Sequence, residues 1–222
     1  MRSQLRAGVA PIVAVALGIG LAGCASDTKT ASSPPTPARP DTETSQAAAP
    51  EKTIAEYIKE NNITETTVRP GDPGSPTIRL PLPEGWRDMG NRTPEGSYVA
   101  IEYGVNPTDP ATIVVYVSKL TGNVDGAKIL EYAPAEIQRL PGYEGPKVGG
   151  PTKVGGFDAT QIGGRYIKDG VKRTVGQMTA VIPGQDAIYV LQLNAKGPVI
   201  KDEVQALGFA TDVIAKQAKI TP

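Results

Sequence analysis

The only thiol in this 222-residue chain is Cys24, which closes the stretch Leu21-Ala22-Gly23-Cys24. Its chemistry is set by the residues before it. Arg2 and Arg6 stand in a six-residue start without an acid, and residues 7–20 are uncharged and built mostly from Ala, Val, Ile and Gly. A basic start, a short apolar run and small residues at a break describe a secretory signal over residues 1–23. The run is shorter than the ~20 apolar residues that cross a bilayer. Leu-Ala-Gly-Cys is also the bacterial lipobox pattern. There the cysteine sulfur takes a diacylglyceryl group, the leader is cleaved, and the freed amino group receives an acyl chain such as palmitate. An exported lone cysteine would otherwise be an unpaired, oxidisable thiol. Two or three chains, at about 0.8 kcal/mol per buried methylene, are ample for stable anchoring. The expectation is an exported protein held by Cys24 on the outer face of the cell membrane, in the cell envelope.

Other chemistry is hard to find. The chain has no histidine, which removes His-based triads, His–metal sites and His general bases. No Gly-x-Ser-x-Gly elbow occurs. The stretch "GNVDGAKI" (122–129) misses the phosphate-loop spacing and has no Ser or Thr after Lys128. Asp88 and Glu95 lie among turn residues without convergence, and Gly149-Gly150, Gly155-Gly156 and Gly163-Gly164 read as turns and a bulge. Loss of the leader removes two arginines and no acid, leaving 21 basic against 23 acidic residues. That balance, without basic runs, argues against nucleic acid and against electrostatic attachment to anionic headgroups. The sequence therefore predicts a protein that is not an enzyme and carries no metal and no cofactor.

The elements that would position a binding site begin after a spacer. Residues 24–50 hold the lipidated cysteine and a Ser/Thr/Pro/Ala tether with no large apolar side chain, which cannot offset the entropy of ordering. Residues 51–222 suffice for one domain. Thr53 and Glu56 form a capping box before a short amphipathic helix. "TIRLPLPEGW" reads as an edge strand because of Pro81, and strands follow at 97–103 and 111–120. Asp125 caps a helix that Pro134 should kink or break, and residues 141–156 read as a Gly/Pro-rich loop. Three strands, 157–167, 171–183 and 186–195, then form a meander with two-residue turns at Asp169-Gly170 and Gly184-Gln185. A helix over 201–218 ends the chain. This order predicts an α+β domain, an antiparallel sheet of about six strands with helices packed on it.

A Gly184-Gln185 turn would pair Gln177 with Gln192. Met178, Ala180, Ile182, Tyr189, Leu191 and Leu193 would then share the core face. The opposite face mixes Gln177, Thr179, Val181, Ile188, Val190 and Gln192, and is either solvent-exposed or a lined groove. Gln177, Gln192, Val190 and Tyr116 are its candidate ligand-binding residues, the two amides for a polar group and the apolar side chains for an acyl chain.

With these segments in view, "TIAEYIKENNI", "GDPGSPTIRLPLPEGW", "SKLTGNVD", "LPGYEG" and "VIPGQDAIYVLQLNA" resemble the mycobacterial Lpp-LpqN lipoprotein family. They run in order from Thr53 toward the C-terminus, so the resemblance covers the folded domain as well as the lipobox. It implies a Mog1/PsbP-like α/β/α sandwich, a mycolate-containing envelope, and a place beside the export of trehalose monomycolate. It supplies no catalytic residues. Two functions are then open. One is a non-catalytic accessory protein that binds a mycolate-type glycolipid or its exporter, favoured by the high effective concentration of a tethered domain. The other is a surface-exposed or shed protein-interaction factor acting on envelope or host proteins.

Overall fold

In the computed structural model, which describes residues 52–222 apart from Val105, the chain enters its fold through the expected capping box. Thr53 Oγ1 accepts the Glu56 N–H at 3.2 Å, and the Thr53 N–H donates to Glu56 Oε2 at 2.7 Å. The signal 1–23, Cys24 and the tether to residue 50 lie outside the described residues. Helix α1 (Ile54–Glu60) turns its buried Ile54 and Tyr57 inward. The Tyr57 hydroxyl accepts the N–H of Asp125 at 2.9 Å. Asp125 in turn caps α2 (Gly126–Gln138), its Oδ1 accepting the Ala127 N–H at 2.8 Å. The two helices are thus joined at their edges before either meets the sheet.

The strands are β1 (Thr64–Thr67), β2 (Thr77–Arg79), β3 (Trp86–Asp88), β4 (Val99–Tyr103), β5 (Thr112–Thr121), β6 (Gly150–Val154), β7 (Phe157–Lys168), β8 (Val171–Pro183), β9 (Ile188–Pro198) and β10 (Lys219–Thr221). Helix α3 (Lys201–Gln217) follows β9. Eight strands form one antiparallel sheet in the order β3-β4-β5-β9-β8-β7-β6, with β1 added beside β5; β2 and β10 make a separate pair. Helices cover both faces. Ile54, Ile129, Ala133 and Ile137 of α1 and α2 pack on Leu120, Val190, Ile162 and Val175. Leu207, Ala210 and Ile214 of α3 pack on Ile113, Leu191 and Leu193. The layers are those of an α/β/α sandwich, a single α+β domain. Among the described residues no helix is long and apolar enough to cross a membrane.

Several expectations need correction. The sheet has eight strands where about six were predicted, because β1, β3 and β6 are short and polar or glycine-rich. The run 77–86 is two strands: the chain leaves the extended ladder at Pro81 and Pro83, so β2 pairs with β10 and β3 with β4. Helix α2 continues through Pro134; burial of Ala133, Pro134 and Ile137 outweighs the missing N–H. Residues 150–154 are a strand, and Gly155-Gly156, with φ of 57° and 89°, make its hairpin turn to β7. The link between β8 and β9 has four residues instead of two, closed by the Gly184 N–H donating to the Ala187 carbonyl at 2.9 Å. Pro183 therefore pairs with Ile188, and Gln177 pairs with Asn194 instead of Gln192. A slip of two residues keeps every side chain on its face, so Ala180, Ile182, Tyr189, Leu191 and Leu193 are in the core as predicted.

Two buried carboxylates fix the frame. The Glu203 carboxylate, in the first turn of α3, accepts the Ala111 N–H at 2.8 Å and ties that helix to the start of β5. Glu102 on β4 is fully buried and accepts from Arg92 Nη1 at 2.7 Å and Arg87 Nε at 2.8 Å. The hydrogen bonds of Arg92, then those of Arg87, hold its carboxyl at about 2 against an ordinary value of 4.5, with burial opposing them. A depressed carboxyl stabilises the fold above the unfolded value and loses that contribution as the pH falls through the folded one. Thermal melts should therefore weaken between about pH 4.5 and 2. Glu102→Gln should melt lower than the parent at pH 7 and decline less steeply in that acid window. An identical pH profile for the variant would show that Glu102 has no part in the decline.

Candidate functional site

The four side chains singled out in the sequence lie on the face covered by α1 and α2. Gln177 is 5% exposed. Its Nε2 donates to Glu136 Oε2 of α2 at 3.1 Å and to Asn194 Oδ1 at 3.0 Å. Gln192 Nε2 donates to the same Glu136 oxygen at 3.2 Å. The two glutamines thus meet through a helix carboxylate and do not face each other across the hairpin. Val190 is buried under the helices, and half-buried Tyr116 stands across from Gln192. Gln177 also borders a larger hollow of about 380 Å³, and beside Val190 and Gln192 is a niche of about 60 Å³ between Ile54, Glu65, Glu136 and Gln192. The niche is room for a water or two, and Glu136 occupies the place where a ligand's polar group was expected.

The large concavity is on the other face. Strands β7 and β8 run past the side of α3, and the register sets Gly163 across from Gly176 and Gly176 across from Ala195. This row of near-bare backbone is the floor of a trough. Val204, Leu207, Gly208 and Thr211 of α3 form one wall, and the segment Glu144–Pro146 closes the other side. One part encloses about 490 Å³. A second part of about 380 Å³ continues over Gln161, Met178 and Val148, sharing Pro146, Gly163, Gly176 and Thr211 with the first. Each is within the usual range of small-molecule sites, ~300–1,000 Å³.

Three of its glycines have no conformational reason to be glycine. Gly163, Gly176 and Gly208 all lack a positive φ. A Cβ on Gly176 would meet Ala195 Cβ at 3.8 Å, an ordinary contact, and a Cβ on Gly208 would have nothing within 4 Å. At Gly163 the nearest atom would be the Val175 carbonyl at 3.3 Å. A glycine inside a helix costs about 1 kcal/mol relative to alanine, and one inside a strand leaves nothing to pack. Gly176 and Gly208 provide depth, whereas Gly163 also leaves room for the Val175 carbonyl, which a Cβ would crowd. Gly164, one position on, is different: a Cβ there would lie 2.5 Å from the Glu144 carbonyl and 2.8 Å from the Tyr143 ring. Tyr143 supports the floor from below, its hydroxyl donating to the Gly163 carbonyl at 3.2 Å, and burial pushes its phenol up.

The lining is mostly apolar, with polar groups at its borders. Glu144 is bridged to Lys172 at 2.8 Å, which lowers its carboxyl. Arg165 and Thr174 supply the remaining donors, and the Thr211 hydroxyl, which donates to the Leu207 carbonyl at 2.9 Å, leaves an acceptor oxygen. No group of three or more metal-ligating side chains occurs among the described residues. Such a trough suits an elongated apolar ligand with a hydroxyl-bearing end. The sequence signal for it was present in Gly163 and Gly176, whose spacing on two paired strands becomes a shared floor only once the hairpin register is known.

Comparison with known proteins agrees with the fold. The family model described as "Probable lipoprotein LpqN" matches residues 50–221. The chain is 47% identical over 226 residues to lipoprotein LpqN of Mycobacterium tuberculosis, covering 96% of this chain and 98% of that protein. A crystal structure of LpqN, described as involved in cell envelope biogenesis of Mycobacterium tuberculosis, superposes with a TM-score of 0.71 at 50% identity. That match covers 78% of this chain and 99% of the other.

Proposed function

The chain belongs to the Lpp-LpqN family of cell-envelope lipoproteins, and from that membership and the trough we propose that it is a non-catalytic carrier of a mycolate-type glycolipid such as trehalose monomycolate. In this reading Cys24 holds the domain on the outer face of the cell membrane. An acyl chain lies on the Gly163–Gly176–Ala195 floor beneath α3, and the sugar stays at the polar border. The protein accepts the lipid from its exporter or holds it for transport through the envelope. The observation that carries the reading is the pair Gly176 and Gly208, which have room for a Cβ and keep the trough deep without serving the backbone. The mycobacterial relative's part in cell envelope biogenesis supports the same setting. The polar border groups, Arg165, Thr174 and Thr211, match the hydroxyls of a sugar better than a second hydrophobic chain.

Native mass spectrometry of the mature protein, purified from a mycolate-making host, tests this. The expected spectrum contains a complex heavier than the acylated protein by one glycolipid, and the added mass leaves on collisional activation. A ligand-free protein that instead retains envelope proteins would replace the carrier with the protein-interaction reading.

A further inference from the structure

Seven large apolar side chains stand exposed among the described residues, and five of them gather around the trough. Val148 and Val204 line it. Val171 follows the β7–β8 turn, and Val199 and Ile200 join β9 to α3. Strand pairing brings the last three together. Arg173 is opposite Pro198 and Lys168 is opposite Val171, so Val199 and Ile200 run out level with Lys172 and Val171. Val204 closes the first turn of α3 on Ile200, its N–H donating to the Ile200 carbonyl at 2.9 Å. The other two exposed apolar residues, Leu82 and Phe209, are elsewhere; Phe209 is five residues from Val204 and so projects from the far side of α3.

Charge is gathered at the same end. Arg165, Lys168, Lys172, Lys196 and Lys201 are exposed there, against the acids Glu144, Asp169 and Asp202. No run of basic residues betrays this in the sequence; the β7–β8 hairpin and the return into α3 assemble it. Residues 52–222 hold 19 bases and 19 acids, so the excess of two bases at this end leaves an excess of two acids over the rest of the domain. An anionic surface would turn this end toward itself and the rest away.

We propose that this end of the sheet is a membrane-docking tip. Val171, Val199 and Ile200 enter the headgroup region of an anionic leaflet, and Lys168 and Lys201 lie against its phosphates, their stems along the apolar patch. The mouth of the trough, at Val204, Arg165 and Thr174, then opens at the lipid surface. The charge selects the occupant: a second copy docking through the same tip would set lysines against lysines, whereas an anionic leaflet complements them. The inference rests on the tip alone and holds whatever the trough carries.

The test uses the acylated chain reconstituted in vesicles of phosphatidylcholine with one-third phosphatidylglycerol. Acylation blocks Cys24, so Ile200→Cys and Phe209→Cys each offer one free thiol for an environment-sensitive NBD label. Emission at position 200 should shift to the blue and be quenched by lipid-borne quenchers; at position 209 it should do neither. The shift at 200 should shrink when phosphatidylglycerol is omitted, in about 1 M salt, and in a chain that also carries Lys168→Glu and Lys201→Glu. Water-like emission at both positions, or equal shifts at both, overturns the proposal. So does a shift at 200 that follows the density of protein in the bilayer and not its phosphatidylglycerol content, which would report contact between copies. Because the readout is where the probe sits, failure here is distinct from failure of the glycolipid reading, which mass spectrometry reads.

Discussion

Cys24→Ala is expected to move this protein almost wholly from the detergent phase to the aqueous phase of a cell extract. The uncleaved leader is no substitute anchor, because its apolar run over residues 7–20 is shorter than the ~20 residues that cross a bilayer. Without the sulfur no diacylglyceryl group is attached, and without that group the amino terminus of residue 24 is not freed for acylation. A single acyl chain gives only marginal, reversible attachment, and stable anchoring needs a second signal. The docking tip offers a few valines and lysines, enough to orient a domain already held at the surface and too little to retain a free one. Detergent partitioning and incorporation of labelled palmitate measure the two parts of the expectation. Unchanged partitioning of the variant would remove the lipid anchor from the account.

The second large effect is expected at Gly208, and its two consequences have opposite signs. Gly208→Leu replaces a helix-interior glycine with a good helix former at a position where a Cβ has nothing within 4 Å. The helix should gain about 0.8 kcal/mol, so the melting temperature should rise or hold. The leucine projects from the wall over the floor formed by Gly163 and Gly176, taking the volume meant for an acyl chain. Retention of glycolipid, or binding of a fluorescent palmitate, should fall by tenfold or more, about 1.4 kcal/mol. A residue kept only for folding cannot give a more stable protein that binds less. Full ligand binding by a folded Gly208→Leu protein would exclude the trough as the lipid site.

The sequence was most legible where local chemistry decides. The Thr53–Glu56 capping box, the Asp125 cap and the Asp169-Gly170 turn each depend on two or three adjacent residues, and each stands as read. The faces of the last hairpin were also legible, since alternation survives a slip of two. Its pairing was not: Gly184-Gln185 looks like a two-residue turn, and only the Gly184–Ala187 hydrogen bond shows the longer loop. The error carried over to the candidate site. Gln177 and Gln192 stood out as polar residues on a mixed face, but which helix would cover that face, and that Glu136 would reach both amides, is tertiary information. The trough was hidden for the complementary reason. A missing side chain leaves no pattern, and glycines in a sequence full of turns read as more turns. The Gly155-Gly156 turn deserved that reading; Gly163-Gly164, inside β7, did not.

The path of the chain through the sheet also orders the events of folding. Strands β6 to β9 are neighbours both in the sheet and along the chain, each joined to the next by a short turn. Closing them requires little loop entropy. Strand β5 is the exception: it must reach past α2 and three strands to join Leu120 with Ile188 and Thr112 with Lys196, while β4 and β1 wait to add to its other side. The β5–β9 seam is the costly, non-local step on which the rate should depend. The β6–β9 meander would be in place before it, and the core made by α3 with β4 and β5 only afterwards. Native-state amide exchange should then grade from slow protection in β8 and β9 to early release at β1 and at the β2–β10 pair, whose three-residue ladders lie at the margin of the fold.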